Sequence, residues 1–481
     1  MRVILLSWMC LLLSSAYSQV PTFRLPGESQ PHAGTWLQWP HQYTYGLTYR
    51  NRLDQTFLDI TAALVPTEQV YIIAYNTAEK NRIIDLLNTA GVPLGNIFFY
   101  IIKTDDVWSR DNGPMYVYNA SNELVILDWK FDGWGNDTPY SQDDKVPQRI
   151  ASKTGTTRIN LSTMVLEGGA VEVDGAGTFL GTRSSILGDN RNPTLSESDI
   201  NFYLTQYLGV NNIIWLDGIY GAGFDITDTH IDGFARLKDS ITLVTMNEAN
   251  LNYWGISSSD IDILMNATNA YGTPYNQVFL PLTNKNVKTT WGANVGFKSS
   301  YNNYYVANEV VLATTFNDAN DDDAIAILQS IYPDKEVIGI DSRNLYYYGG
   351  MIHCVTQQQP DDIPLRPGIQ FTTGDSIDIA IQLIYPNPAS QFIHLQVSGS
   401  ASDMAVAEIY NQEGKLVATQ AVQLLKGETI LQLDVHHLPA GTYYAVLNTN
   451  AHRTSAKSFD IIRQGEIHAK CELNIIQLSG V

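Results

Sequence analysis

The sequence predicts an α/β domain followed by a small β-sandwich, on three observations. Between Gly34 and Cys354, short apolar strand patterns alternate with helical periodicities. From Ile384 onward the helical period disappears, and short strands separated by turn residues replace it. The length, 481 residues, exceeds what one average domain holds.

The elements follow in order. Gly34-Thr35-Trp36-Leu37-Gln38-Trp39-Pro40 reads as a strand stopped by proline, which cannot continue a ladder. Arg50 to Leu64 carries apolar residues at helical spacing. Val70 to Tyr75 reads as a buried strand, Thr77 to Ala90 as a helix, and Ile97 to Ile102 as a further strand. Later cycles pair Thr178–Leu180 with Glu197–Leu208, Ile241–Thr245 with Ser258–Met265, and Val310–Ala313 with Asp322–Ile331. Four or five such cycles suggest an internal structural repeat. The acidic run Asp318 to Asp323 precedes the last of these helices, where the helix dipole favours negative charge, so it reads as a cap and not as a metal loop. After a loop near Asp361 to Asp375, strands are expected at Phe392–Val397, Ala405–Tyr410, Leu416–Ala418, Thr429–Val435 and from Leu438 to Val446.

Composition narrows the function classes. The formal net charge of −20 disfavours nucleic acid and anionic membranes and favours cationic ligands. Residues 1–18 read as a signal peptide: Arg2 is the basic region, Val3 to Leu13 the apolar region, and Ala16-Tyr17-Ser18 the cleavage site. No other segment approaches the length of a transmembrane helix. Cys10 has no small residue beside it of the kind a lipidation site needs, and the mature chain keeps Cys354 and Cys471. Export permits a disulfide between these two, but a pair is not a disulfide framework.

Four polar clusters stand out in the α/β part: Asp105 to Pro114, Leu166-Glu167-Gly168-Gly169, Asp225 to Gly233, and Gly349 to Pro360 around Cys354. Taken singly, each reads as readily as a turn, a structural His or a buried thiol. On a strand, His230 and Asp232 would share one face, the arrangement of an acid/base beside a substrate-binding carboxylate. No Cys/His spacing suits zinc, so no metal or cofactor is expected. One thiol, one His and several carboxylates suit a fixed cationic substrate. Guanidinium matches best, because its fork pairs bidentately with carboxylates.

Taken together, the clusters resemble the agmatine deiminase and bacterial peptidylarginine deiminase family of guanidine-modifying enzymes. The matching stretches are Thr35 to Pro40, Trp108-Ser109-Arg110-Asp111-Asn112-Gly113-Pro114, Phe131-Asp132-Gly133-Trp134-Gly135, Leu166 to Gly169, Asn190-Arg191-Asn192-Pro193, Asp225 to Asp232, and Gly349 to Cys354. The resemblance implies a five-bladed α/β propeller with the site on its axis. It also implies roles: Cys354 as nucleophile, His230 as acid/base, Asp111 and Asp232 as guanidinium clamps. Glu167 would orient His230 or share the guanidinium, Trp108 and Trp134 would wall the channel, and Asn303 would sit beside the nucleophile. Gly133 and Gly135 stand where the branch acting on C-terminal arginine carries two arginines. Agmatine or a similar small guanidine is therefore the preferred substrate. Peptidyl-arginine, which export favours, is the alternative, and an amidinotransferase or a non-catalytic surface binder ranks below both.

From Ile384 the chain resembles the C-terminal sorting domain of the type IX secretion system. The residues that carry this are Tyr385-Pro386-Asn387-Pro388, Ile409-Tyr410-Asn411 with Gly414-Lys415-Leu416-Val417, and Leu438-Pro439-Ala440-Gly441-Thr442-Tyr443-Tyr444. The implied partner is the type IX machinery, and the implied location is the cell surface or the medium, reached through the periplasm. The expected organisation is a signal peptide at 1–18, a catalytic domain at 19–372, a linker at 373–383, a sorting β-sandwich at 384–463 and a tail at 464–481.

Overall fold

The computed structural model describes residues 23–361, apart from 221–224, and residues 379–463 with short gaps. The expected signal peptide, most of the linker, the tail and Cys471 lie outside the described residues. The chain divides into two compact units, Met1–Leu365 and Arg366–Val481.

The described part of the first unit contains five small mixed sheets, each built on one plan. A short strand pairs antiparallel with its neighbour, and a helical crossover then adds a parallel strand. Leu124–Lys130 lies between Met115–Asn119, antiparallel, and Thr157–Val165, parallel. Thr178–Thr182 lies likewise between Glu172–Val173 and Asn212–Leu216. Thr242–Met246 lies between Ala235–Asp239 and Asn276–Leu280, and Val310–Thr315 between Tyr305–Val306 and Glu336–Asp341. The fifth sheet joins the two ends of the unit: Gln357–Pro360 pairs antiparallel with His32–Gln38, which runs parallel to Gln69–Ala74. The α/β expectation holds as mixed sheets with helical crossovers.

The helices bury the faces that their sequences mark. Gly46–Leu64 turns Leu53, Phe57, Ile60 and Leu64 inward at helical spacing, against Ile72, Leu312 and Leu345. Each such side chain contributes roughly 1.5–3 kcal/mol of transfer free energy. Asp321, Asp322 and Asp323 fill the first turn of Asp321–Ile331, and Asp321 accepts the backbone N–H of Phe316 (3.0 Å) and of Asp318 (3.0 Å). The helix expected to run from Glu197 to Leu208 is α-helical only over Glu197–Tyr203 and continues as a wider π turn, Leu204–Leu208, before Gly209 in the left-handed region ends it.

The second unit holds two antiparallel sheets. Ile379–Tyr385, Phe392–Gly399 and Gly427–Asp434 form one, and Leu416–Leu424, Asp403–Tyr410, Gly441–Thr449 and Lys457–Ile461 the other. Alternate residues of both, Ile393, Leu395 and Val397 from one and Ala405, Ala407 and Ile409 from the other, meet in a single apolar cluster. No helix among the described residues is long and apolar enough to cross a membrane.

Candidate active site

In each of the five sheets, the segment two to five residues before the antiparallel strand carries polar side chains. These segments hold Asp111 before Met115–Asn119, Glu167 and Gly169 before Glu172–Val173, and His230 with Asp232 before Ala235–Asp239. Asn303 precedes Tyr305–Val306, and Cys354 precedes Gln357–Pro360. Residues far apart in sequence thus meet because the same position recurs in every repeat.

The glycines of these motifs are required by close approach. A Cβ on Gly113 would lie 2.1 Å from the carbonyl oxygen of Ser109, and one on Gly168 would lie 2.1 Å from that of Arg110. A Cβ on Gly169 would come within 2.5 Å of His230 Nδ1, 2.9 Å of Asp111 Oδ1 and 3.1 Å of Asp232 Oδ2. The Gly169 N–H meanwhile donates to Asp111 Oδ1 at 3.0 Å. Gly169→Ala is expected to lower kcat/KM at least about 100-fold, the scale on which a 1 Å displacement of catalytic groups acts. The overpacking itself costs about 1–3 kcal/mol. Steady-state kinetics beside a thermal melt check this, since an effect on stability alone would lower Tm and leave the folded enzyme's kcat/KM unchanged.

Cys354 lies in the 3₁₀ turn His353–Val355, where its Sγ donates to Asn303 Oδ1 at 3.5 Å and the His353 N–H donates to the same oxygen at 3.1 Å. It is a free cysteine, half-buried, where two cavities meet. The smaller, about 370 Å³, is walled by Trp108, Asp111 and Trp134; the larger, about 700 Å³, by His230, Asp232 and Asn303. Burial pushes the thiol well above its ordinary value, and the charges of Asp232 and Asp111 push it further.

His230 Nε2 meets Glu167 Oε2 at 2.8 Å, and its Nδ1 lies 3.7 Å from Asp111 Oδ1. Burial disfavours the imidazolium, but Asp111, Glu167 and Asp232 outweigh it and raise the pKa to about 9. Glu167 also accepts from Arg191 Nε at 2.7 Å and lines neither cavity, so it reaches a ligand only through His230. Asp111 accepts from Trp134 Nε1 at 3.0 Å. Burial raises its carboxyl to about 6, with His230 pulling it down.

His230 and Asp232 do not lie on a strand as expected. His230 precedes the 3₁₀ turn Ile231–Gly233, and Asp228 and Thr229 ahead of it adopt left-handed φ values of 54° and 71°. Asp225 secures this loop by accepting from the Thr227 and Thr229 N–H groups at 2.9 and 3.1 Å. Strand alternation is therefore not what brings the two side chains together; the turn does. Asp232 Oδ2 meets His353 Nδ1 at 2.7 Å; burial opposes its ionisation, but His353, His230 and Arg236 hold its carboxyl below the ordinary value.

All eight residues singled out in the sequence come together here. Sequence reasoning missed the buried charges beneath them. His353 Nε2 reaches Glu28 Oε2 at 2.7 Å, and Glu28 is also paired with Arg236 (3.0 Å) and Arg110 (3.2 Å). Arg236 in turn pairs with Glu172. The available signals were Arg110 inside the Trp108–Pro114 motif and His353 beside the cysteine. Among the described residues, the metal-type donors within reach of one another are Asp434, His436 and His437, exposed in the second unit.

Known proteins share the sequence and the fold of the first unit. Residues 24–360 match the model of the Porphyromonas-type peptidyl-arginine deiminase family, and residues 383–461 match that of the secretion system C-terminal sorting domain. The agmatine deiminase of Pseudomonas aeruginosa is 31% identical over 361 residues, covering 70% of this chain and 95% of that protein. The solved agmatine deiminase of Enterococcus faecalis superposes with a TM-score of 0.62 at 27% identity, over 71% of this chain and 97% of its own. The agmatine deiminase of C. jejuni shares the fold at a TM-score of 0.59 and 23% identity, over 71% of this chain and 97% of its own. The chain belongs to the Porphyromonas-type peptidyl-arginine deiminase family and carries a C-terminal sorting domain of the type IX secretion system.

Proposed function

We propose that this chain is an exported guanidine deiminase that hydrolyses agmatine, or a similar small guanidine, to the ureido product and ammonia; for agmatine the product is N-carbamoylputrescine. One observation carries the reading. The carboxylate of Asp111 shares a cavity wall with Cys354 and, among the described residues, is ion-paired only with His230, at 3.7 Å, so a guanidinium entering that cavity meets a carboxylate beside the thiol and an acid/base beside both. Asp111 and Asp232 clamp the guanidinium, the thiol of Cys354 loses its proton to solvent as that cation binds, and the thiolate Sγ adds to the guanidinium carbon. His230 protonates the departing ammonia, leaving an amidino-thioether. It then takes a proton from water, which attacks the same carbon, and the C–S bond breaks to give the ureido product and free thiolate. Glu167 orients His230, Asn303 positions the thiol, and Trp108 and Trp134 wall the channel.

The repeated five-sheet plan supports a five-bladed propeller for the domain at 19–372, and the two sheets around one apolar cluster support a β-sandwich at 384–463. The sorting-domain match at 383–461 and the signal sequence read at 1–18 support export to the cell surface or the medium. Deleting the chain from Ile384 is expected to leave it in the periplasm.

Peptidyl-arginine is the second reading, favoured by the sorting domain, since an exported enzyme meets proteins. Gly133 and Gly135 speak for agmatine: both have positive φ, 69° and 86°, and a Cβ would lie 2.6 Å from Thr138 O and 3.0 Å from Asn190 respectively. Arginines introduced there would disrupt the Trp134 loop before they formed a carboxylate clamp. Substrate choice is therefore tested on the unmodified protein, by kcat/KM for agmatine, free arginine, and peptides with internal or C-terminal arginine. Agmatine is expected to lead by at least about tenfold, roughly 1.4 kcal/mol. A higher value for any peptide would favour the protein-modifying reading, and a new guanidine formed from an added amine would mark an amidinotransferase.

A further inference from the structure

The smaller cavity is walled by a second acid, Asp106, which the mechanism does not use. Asp106 is 7% exposed, and among the described residues no Lys, Arg or His forms an ion pair with it. Its Oδ1 accepts from the Tyr49 hydroxyl and from the Val107 N–H at 2.9 Å. Its backbone is fixed on both sides, the N–H donating to Asp143 Oδ2 at 3.1 Å and the carbonyl accepting from Gln38 Nε2 at 3.0 Å. Burial raises the carboxyl to about 6, partly offset by donors from Tyr49, Val107, Trp108 and Tyr45, so it is mainly ionised at neutral pH.

Aromatic rings line the same part of the cavity. Tyr45 and Tyr49 stand with centroids 5.0 Å apart, and Tyr49 meets Tyr348 edge-on at 4.7 Å. Tyr45 is 40% exposed, which places it at the mouth. A buried carboxylate held only by neutral donors, beside electron-rich ring faces, suits a cation, and a ligand is the available source of one.

We infer that the Asp106 end of this cavity is a second cation subsite, which takes the terminal ammonium of a guanidine whose tail ends in positive charge while Asp111 takes the guanidinium. The inference rests on the deiminase reading and names its substrate class: guanidino-amines, above neutral alkylguanidines and above arginine, whose α-carboxylate Asp106 repels.

The test compares agmatine with butylguanidine, the same chain without the amine. The wild-type protein is expected to prefer agmatine at least about tenfold in kcat/KM, mainly through KM. Asp106→Asn, which keeps an acceptor for Tyr49 and Val107, is expected to cut that preference about 10- to 100-fold, as losing a charged hydrogen bond does. Equal kcat/KM for the two guanidines in the wild type, or a ratio that Asp106→Asn leaves in place, overturns the subsite while the deiminase reading stands. Turnover of neither guanidine by the wild type fails the deiminase reading, and the subsite falls with it. Should the variant not fold, the wild-type ratio decides alone.

Discussion

Cys354→Ala is expected to abolish ammonia release from agmatine, lowering kcat at least about 10⁴-fold, because among the described residues neither cavity holds a second thiol for the covalent route. The free enzyme holds this thiol neutral: burial, Asp232 and Asp111 all raise its pKa. A bound guanidinium offsets those two negative charges and draws the thiol towards thiolate, so the nucleophile is formed where and when the substrate is present. Two further results are expected. Alkylation of Cys354 by iodoacetamide in the free enzyme should keep rising past about pH 10, where an ordinary thiol levels off. Acid-quenched wild-type protein in turnover should carry the amidino adduct by mass spectrometry, and Cys354→Ala should carry none while still binding agmatine. Retention of more than about 1% of activity in Cys354→Ala would overturn the covalent route.

Much of the frame was legible because it follows from local pattern. The strands at His32–Gln38, Gln69–Ala74 and Ile97–Ile101 and the helix Thr77–Thr89 lie within two residues of their expected ends, since apolar period and proline or glycine punctuation act locally. The site residues were legible by motif, and geometry supplies what the motif leaves open. Glu167, readable either as a clamp or as an orienting group, has its two oxygens occupied by His230 and Arg191. The strand inferred for His230 and Asp232 was wrong because two left-handed residues, Asp228 and Thr229, break the backbone immediately before them. The ionic layer of Glu28, Arg110, Glu172, Arg236 and His353 was not legible. Its members come from five separate segments, and each taken alone looks like a surface charge until the repeat brings them under the site. Asp106 was passed over for the same reason: beside Asp105 it reads as a turn former, and only the cavity shows that it faces inward.

His230→Ala is expected to slow turnover about 10²- to 10⁴-fold, the range of a positioned acid/base. The pH profile separates this role from a structural one. With its pKa near 9, His230 is protonated at neutral pH and can donate to departing ammonia; that form is lost as pH rises through about 9. Asp111, near 6, is a carboxylate at neutral pH and loses its charge as pH falls through about 6. The profile of kcat/KM should therefore carry an acid limb near 6 and an alkaline limb near 9, superimposed on the rise with pH that ionisation of Cys354 contributes. Glu167→Gln removes a negative charge that raises both groups, so both limbs should move to lower pH. His230→Ala removes the cation that lowers Asp111, so the acid limb should move up and the alkaline limb should vanish from the residual activity. An alkaline limb still present near pH 9 in His230→Ala would assign it to another group and remove His230 from the proton transfers, because among the described residues no other imidazole lines either cavity at Cys354.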